Sequence, residues 1–431
     1  MKKRRVDLDQ ISATVHQGCL GLPQELVDHV MDMLCNDPRA LKACSLTCKA
    51  MFASTRHLIH RTLHLTRPND QGVLTEEEKL LYWKWTDHNL HLRFLAHMGE
   101  HGLLKYTQHV HIRMSRAFVP DTLLPHLHHF QSLDRVHTLT MERHDAALWA
   151  NDFNTCFVHF YPTLTSLTLR RPFGQHRLLL QFALQFPNLK NLCLESHESH
   201  FCPDVTLPVH TYTYPLLGGH LRLAGVDTVL EWPPDLVQKL PKGMNFRSVE
   251  LENFRWDRAQ QVLNTCAPSL ESLTIVGDGA YQFLLLVAVF ANVYPAGYHE
   301  LRNLKFAEIK SLHRFTLRML SFSISVPERD GLLKTLSTIK SLTFREFVLE
   351  LDRPLSFFDR PIPEYRRCWE EIDRFLWRRF AKCEGFRFII RTRRPVKPRE
   401  LEAFQRRGSG AFPLLAKMGC VHFEMVERSW R

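Results

Sequence analysis

Seven short segments of one design recur along the middle of this chain: VHTLTM from Val136, LTSLTL from Leu164, LKNLCL from Leu189, GGHLRL from Gly218, FRSVEL from Phe246, LESLTI from Leu270 and LRNLKF from Leu301. Start to start they lie 28, 25, 29, 28, 24 and 31 residues apart. Apolar residues alternate with polar ones within a segment, the period of a half-buried strand. One such strand cannot bury its apolar face alone, so units repeated at this interval must stack on their neighbours. Three segments follow a proline and a small polar residue, at Tyr161-Pro162-Thr163-Leu164, Phe186-Pro187-Asn188-Leu189 and Ala267-Pro268-Ser269-Leu270.

The L-x-x-L-x-L core and its spacing resemble the leucine-rich repeat, in which each unit sets a strand on the inside of a turn and a helix or loop outside. The pattern is irregular: Pro172, His197 and Asp278 stand where asparagine or cysteine would continue a side-chain ladder. The fold class expected is α/β (α+β), a three-helix N-terminal cap followed by an uneven, curved solenoid over residues 106–360. Gln108-His109-Val110-His111-Ile112 reads as the first, degenerate inner strand. Before it, in a helical linker at 64–105, Thr75-Glu76-Glu77-Glu78 offers a capping box for a helix through Leu80, Leu81, Trp83 and Trp85. After it, TIKSLTFREFVLEL (338–351) reads as a longer strand. CWEEIDRFLWRRF (368–380) reads as an amphipathic helix with Trp369, Ile372, Leu376 and Phe380 inward. GFRFIIRT (385–392) reads as a strand, a helix runs through Leu401 and Phe404 to Lys417, and CVHFEMVE closes an α/β cap over 361–431.

Composition narrows the class. Hydrophobic residues make up 45% of 431, enough for a sizeable core. Eleven cysteines form an odd number without a C-x-x-C pair, and no leading apolar segment with a cleavage site is present, so a reducing compartment, cytoplasm and/or nucleus, is expected. The longest apolar run, FLLLVAVFANV (283–293), falls short of the ~18–20 residues of a membrane span and reads as a buried helix. A charge of +11 raises nucleic acid as a partner, and KKRR at Lys2 to Arg5 and RTRRPVKPR at 391–399 read either as import signals or as solvated basic segments. His109-x-His111 and His126-x-His128-His129 have no carboxylate or cysteine completing a tetrahedral set, so no metal or other cofactor is assigned. Cys44 and Cys48 stand at i and i+4, the spacing of one helix face, and read as small core residues. Phosphate-binding loops and nucleophile elbows are absent, and Gly277-Asp278-Gly279 is a tight turn, so no catalytic residue is assigned and the chain is not read as an enzyme.

Ahead of the repeats, LPQELVDHVMDML places Leu22, Leu26, Val30 and Leu34 at intervals of four, with Pro23 suited to the first helical position. Asn36-Asp37-Pro38 repeats that start signal for a second helix carrying Leu41 and Cys44, and a third follows through Leu46, Cys48, Phe52 and Leu58. Domains of this size bury too little surface to stand alone without metal or disulfides, so one apolar face requires a cover. The series Leu22-Pro23, Glu25-Leu26, Val30, Leu34, Asp37-Pro38, Leu41, Cys44-Ser45-Leu46, Cys48-Lys49 and Arg56-His57-Leu58 resembles the F-box family over residues 20–63, behind a flexible basic N-terminus at 1–19. Met51 stands where that family usually has tryptophan, and methionine fills such a site with less rigid area. The C-terminal pattern is more loosely similar to the tails of fungal F-box proteins.

The resemblance implies docking to the SKP-type adaptor of a cullin-based (SCF) ubiquitin ligase through Leu22, Pro23, Leu26, Val30, Leu34, Pro38, Leu41, Leu46, Cys48 and Met51. The repeats would then recruit an unknown protein substrate for ubiquitination. The alternative is a non-catalytic F-box and repeat scaffold that does not direct ubiquitination. Candidate substrate-facing residues lie between and just after the strand leucines: Arg113, Arg170, Lys190, Arg222 and Arg247, against Glu142, Glu195, Glu250, Glu252 and Glu271. Five charges of each sign do not make a phosphate-tracking groove, so neither nucleic acid nor membrane is expected as the partner. Arginines 374, 378, 379, 387, 391, 393 and 394 form a separate basic cluster, suited either to an acidic or phosphorylated segment or to a solvated outer face.

Overall fold

A computed structural model describes residues 23–35, 37–47, 49–66, 90–113, 124–142, 158–160, 162–170, 183, 186–195, 219–224, 245–252, 256–277, 305–319, 326–351, 363–380, 385–392 and 398–425. The chain divides into two compact units, Met1–Phe173 and Gly174–Arg431. The expected helix through Trp85, the FLLLVAVFANV run, KKRR, the centre of RTRRPVKPR and the positions Pro172, His197 and Asp278 lie outside the described residues.

Three helices open the first unit: α1 (Gln24–Met33), α2 (Pro38–Ser45) and α3 (Lys49–Ile59). Asp37 caps α2, its Oδ1 accepting the N–H groups of Arg39 and Ala40 at 3.0 Å each, while Pro38 occupies the first helical position. Pro23 sits one position earlier than its sequence suggests, at the N-cap of α1, where its carbonyl accepts from Leu26 and Val27. α3 packs on both α1 and α2. Their shared core is small: Val27, Met31 and Leu41, with Leu34, Cys44, Met51 and Leu58 partly buried against it. Ser54 donates to Asp28 at 2.6 Å and ties α3 to α1.

Strands β1 (Thr62–Thr66), β2 (His109–Arg113), β3 (Thr138–Glu142) and β4 (Ser166–Arg170) of this unit are parallel in chain order. Between β1 and β2 come α4 (Leu90–Glu100) and a 3-10 turn at Leu104–Tyr106 that packs on α3. The Thr107 hydroxyl donates to the His60 carbonyl at 3.2 Å, so the strand array begins directly on the helices. β1 is a finding: it falls where the sequence reading ends the helical cap, and His109–Arg113 is therefore the second strand.

In the second unit β5 (Asn191–Glu195), β6 (His220–Ala224), β7 (Ser248–Glu252), β8 (Ser272–Gly277), β9 (Arg314–Met319), β10 (Glu346–Leu351), β11 (Arg387–Thr392) and β12 (Val421–Met425) are again parallel neighbours in chain order. The described residues are thus a mixed α/β protein with parallel strands. Register aligns Leu192, Leu221, Val249, Leu273, Phe315, Phe347 and Phe388 in one buried column. Of LRNLKF only Lys305 and Phe306 are described, as coil, and the next described strand after β8 is RFTLRM at 314–319. Likewise residues 338–345 are turn and coil, and only EFVLEL pairs.

Many neighbouring strands are also linked at their start by a shared backbone acceptor. The carbonyls of Arg61, Gln108 and His137 in the first unit, and of Gly219, Arg247, Glu271 and His313 in the second, each accept two N–H groups from the following repeat. The small residues after proline extend this ladder, Thr163 donating to Val136 O at 2.9 Å and Ser269 to Phe246 O at 3.1 Å. Gly219 is required by close approach, because a Cβ there would lie 1.8 Å from the Lys190 carbonyl oxygen.

Helices α5 (Trp256–Cys266), α6 (Val326–Ser337), α7 (Pro363–Phe380), α8 (Pro398–Ala411) and α9 (Pro413–Lys417) fill connections between strands of the second unit. α7 buries Trp369, Ile372, Leu376 and Phe380, the stripe read from its sequence. The single helix expected through Lys417 is two helices, broken at Phe412 by the proline that follows. The first N–H groups of α9 are satisfied by buried Asp373, which accepts from Leu414 at 2.8 Å and Leu415 at 3.1 Å. Burial nonetheless raises the Asp373 pKa against the effect of these donors. Among the described residues no helix is long and apolar enough to cross a membrane.

Candidate docking surfaces

α1 carries two adjoining stripes at helical spacing. Val27, Met31 and Leu34 face the small core, whereas Leu26, Val30 and Met33 are exposed at 51%, 46% and 74%. Leu46, just beyond α2, is 85% exposed, and Phe52 and Ile59 of α3 also face solvent. The Arg56 guanidinium lies 5.2 Å from the centre of the Phe52 ring. Exposed large apolar side chains on so small a helical element are costly unless covered by another surface.

The sequence-derived adaptor residues therefore divide by position. Pro23, Leu26, Val30 and Leu46 are exposed and available for contact; Leu41 is buried, and Leu34 and Met51 sit against the core beneath the stripe. Met51 also receives the Thr47 hydroxyl at its sulfur, 2.9 Å away. Leu22 and Cys48 lie outside the described residues, as does the side chain of Pro38. Met33, at i+7 from Leu26, was missed; extending the helical period by one turn would have found it.

A second surface lies on the polar face of the strands in the second unit. Arg222 on β6 reaches Glu195 on β5 at 3.2 Å and two carboxylates on β7, Glu252 at 2.8 Å and Glu250 at 3.4 Å. Glu250 is also 3.1 Å from Arg318 of β9, whose guanidinium spans β8 and meets Glu350 of β10 at 3.0 Å. The result is an alternating lattice of arginine and glutamate, with Glu350 only 5% exposed. Burial disfavours the charged guanidinium of Arg222, but the Glu252 hydrogen bond and the charges of Glu250 and Glu195 outweigh it and hold its pKa above the usual value. His220, one strand position pair away, has its pKa lowered by burial first, with Glu250 opposing and Arg222 assisting. Arg247 and Glu271 pair at 3.7 Å in a separate, more exposed contact, and Lys190 is exposed just before β5.

In the first unit Arg113, Glu142 and Arg170 align across β2, β3 and β4, with His111 Nε2 3.8 Å from Glu142. The basic C-terminal cluster is drawn apart. Arg387 meets Glu346, Arg391 meets Glu424, and Arg379 donates to the Ile339 carbonyl at 3.1 Å, while Arg374 and Arg378 are exposed on α7. Arg393 and Arg394 lie outside the described residues. Burial pushes the Cys266 thiol up to about 12, which marks it as an inert core residue. Among the described residues one group could hold a metal ion, His97, Glu100 and His101, a set the sequence reading did not consider.

Two units of parallel strands, with three helices packed at the head of the first, define a mixed α/β protein. No protein-family model matches the chain, and a search of curated proteins gave no match.

Proposed function

We propose that the chain is an F-box substrate-recognition subunit of an SKP-cullin ubiquitin ligase, acting in the cytoplasm and/or nucleus and itself non-catalytic. The observation that carries the reading is the exposed apolar stripe of Leu26, Val30 and Met33, with Leu46 beside α2, on a cap whose own core is three side chains. The reading is supported by the F-box resemblance, whose described residues fall in this cap. In this reading the stripe docks on the SKP-type adaptor, and the polar faces of the strands recruit a protein substrate. Transfer is then promoted by proximity, a substrate lysine being held near a charged conjugating enzyme supplied by the other subunits.

The lattice around Arg222 and Arg318 favours a protein ligand over nucleic acid, because its guanidinium groups are already engaged by carboxylates. The test is recovery of cullin and ubiquitinated clients with the tagged chain from cells. Leu26→Asp/Val30→Asp is expected to lose both. A scaffold that does not direct ubiquitination would recover its partner proteins with no ubiquitinated species, and that result would remove the ligase reading.

A further inference from the structure

His97 and Glu100 stand in the last turn of α4 and His101 directly after it, at i, i+3 and i+4, spacings that bring side chains onto one helix face. Their ligand atoms all lie within 4.8 Å of one another, and the two imidazole centroids are 4.0 Å apart. A tetrahedral zinc shell with bonds of ~2.0–2.1 Å separates its ligands by roughly 3.3 Å. Small rotations of these exposed side chains close the difference.

Two further features prepare this turn for a cation. His101 Nδ1 lies 2.9 Å from the His97 carbonyl oxygen. A carbonyl only accepts, so in the neutral ring Nδ1 carries the proton and the Nε2 lone pair is directed away from the backbone. This is the arrangement that orients metal-ligating histidines, the second ring nitrogen donating to a carbonyl. The helix end is also fixed: Gly102 has φ of 62°, its N–H donates to Gly99 O, and Leu103 donates to Met98 O at 2.8 Å. The negative end of the helix dipole adds to the attraction for a cation.

We propose that His97, Glu100 and His101 form a Zn²⁺ site, with two imidazole nitrogens and one carboxylate as protein ligands and water completing the shell. The site ends three residues ahead of the turn Leu104–Tyr106 that packs on α3, so bound metal stabilises the end of α4 in the connection from β1 to β2. The inference is independent of adaptor docking, because none of its ligands belongs to the exposed stripe of α1.

The test is calorimetric titration of the full chain with zinc chloride. Wild type is expected to show a site whose affinity falls at least tenfold in His97→Ala/His101→Ala and by a smaller factor in Glu100→Gln. Saturating zinc is expected to raise the melting temperature of wild type and leave that of the double variant unmoved. Because the chain has 25 histidines, a second readout assigns the site within wild type: zinc should protect His97 and His101 from diethyl pyrocarbonate, mapped by mass spectrometry. Equal zinc affinity in wild type and double variant, or modification of His97 and His101 unchanged by zinc, would overturn the proposal.

Discussion

Arg222 and Arg318 face the same Glu250 carboxylate from opposite sides, yet they differ in how much water reaches them. The Arg318 side chain is 15% exposed and that of Arg222 34%. Coulomb attraction and the cost of disturbing it both grow as solvent is excluded. Replacing Arg318 with methionine is expected to cost about 2–4 kcal/mol of stability. The same change at Arg222 should cost about 1–2 kcal/mol, its pairs being more strongly screened. Urea unfolding of the two variants checks this order, and a larger loss at Arg222 would contradict the burial argument. Glu195, Arg222, Glu250 and Glu252 could all be named from sequence as polar strand positions. Their meeting could not, because it depends on the parallel register that sets residues of different repeats side by side.

At the scale of elements, the column through Phe315, Phe347 and Phe388 shows what makes an irregular repeat stack. Phe347 lies between the other two rings with centroid separations of 5.7 and 5.3 Å and is almost fully buried. Phe347→Ala is expected to destabilise by about 3–5 kcal/mol, because a flanked ring leaves a cavity that its neighbours cannot fill without shifting. Thermal unfolding of the variant measures it, and a shift of only a degree or two would mean that the column contributes little. The same aromatic residues explain where the sequence pattern ran out. Strands whose second and fourth positions are both aliphatic, such as NLCLE and HLRLA, matched the repeat core and are strands. In RFTLRM phenylalanine takes the second position, so this strand departs from the L-x-x-L-x-L pattern that 301–306 matches more closely. TLHLT is hidden for another reason: it directly follows α3, where the expected helical cap meets the expected helical linker. Helix stripes were legible where 3.6-residue periodicity was long, as in α7, but the break before Pro413 needed the Asp373 cap to be seen.

For the molecule as a whole, three partly buried histidines set the sign of a pH response. Burial is the largest cause lowering His60, His109 and His220, assisted by Arg56, Arg61 and Arg222 respectively, with Glu250 partly opposing at His220. Each folded-state pKa lies below the usual 6.5, so the folded chain binds fewer protons than the unfolded one. The stability they contribute is complete above about pH 6.5 and is lost as pH falls through the folded values. The melting temperature should therefore drop between about pH 7.5 and 5, and His60→Gln/His220→Gln should flatten that slope. A profile unchanged in the variant would assign the acid response to other groups. The proposed function rests at this scale on the division between a helical cap with an apolar outer stripe and strands whose polar face pairs arginine with glutamate. The deciding measurement is the equilibrium affinity of the purified chain for a purified SKP-type adaptor, compared with Leu26→Asp/Val30→Asp. Wild type should bind, and the variant should lose binding while keeping its circular dichroism and melting temperature; no binding by wild type, or equal affinity for both, would contradict docking through this cap.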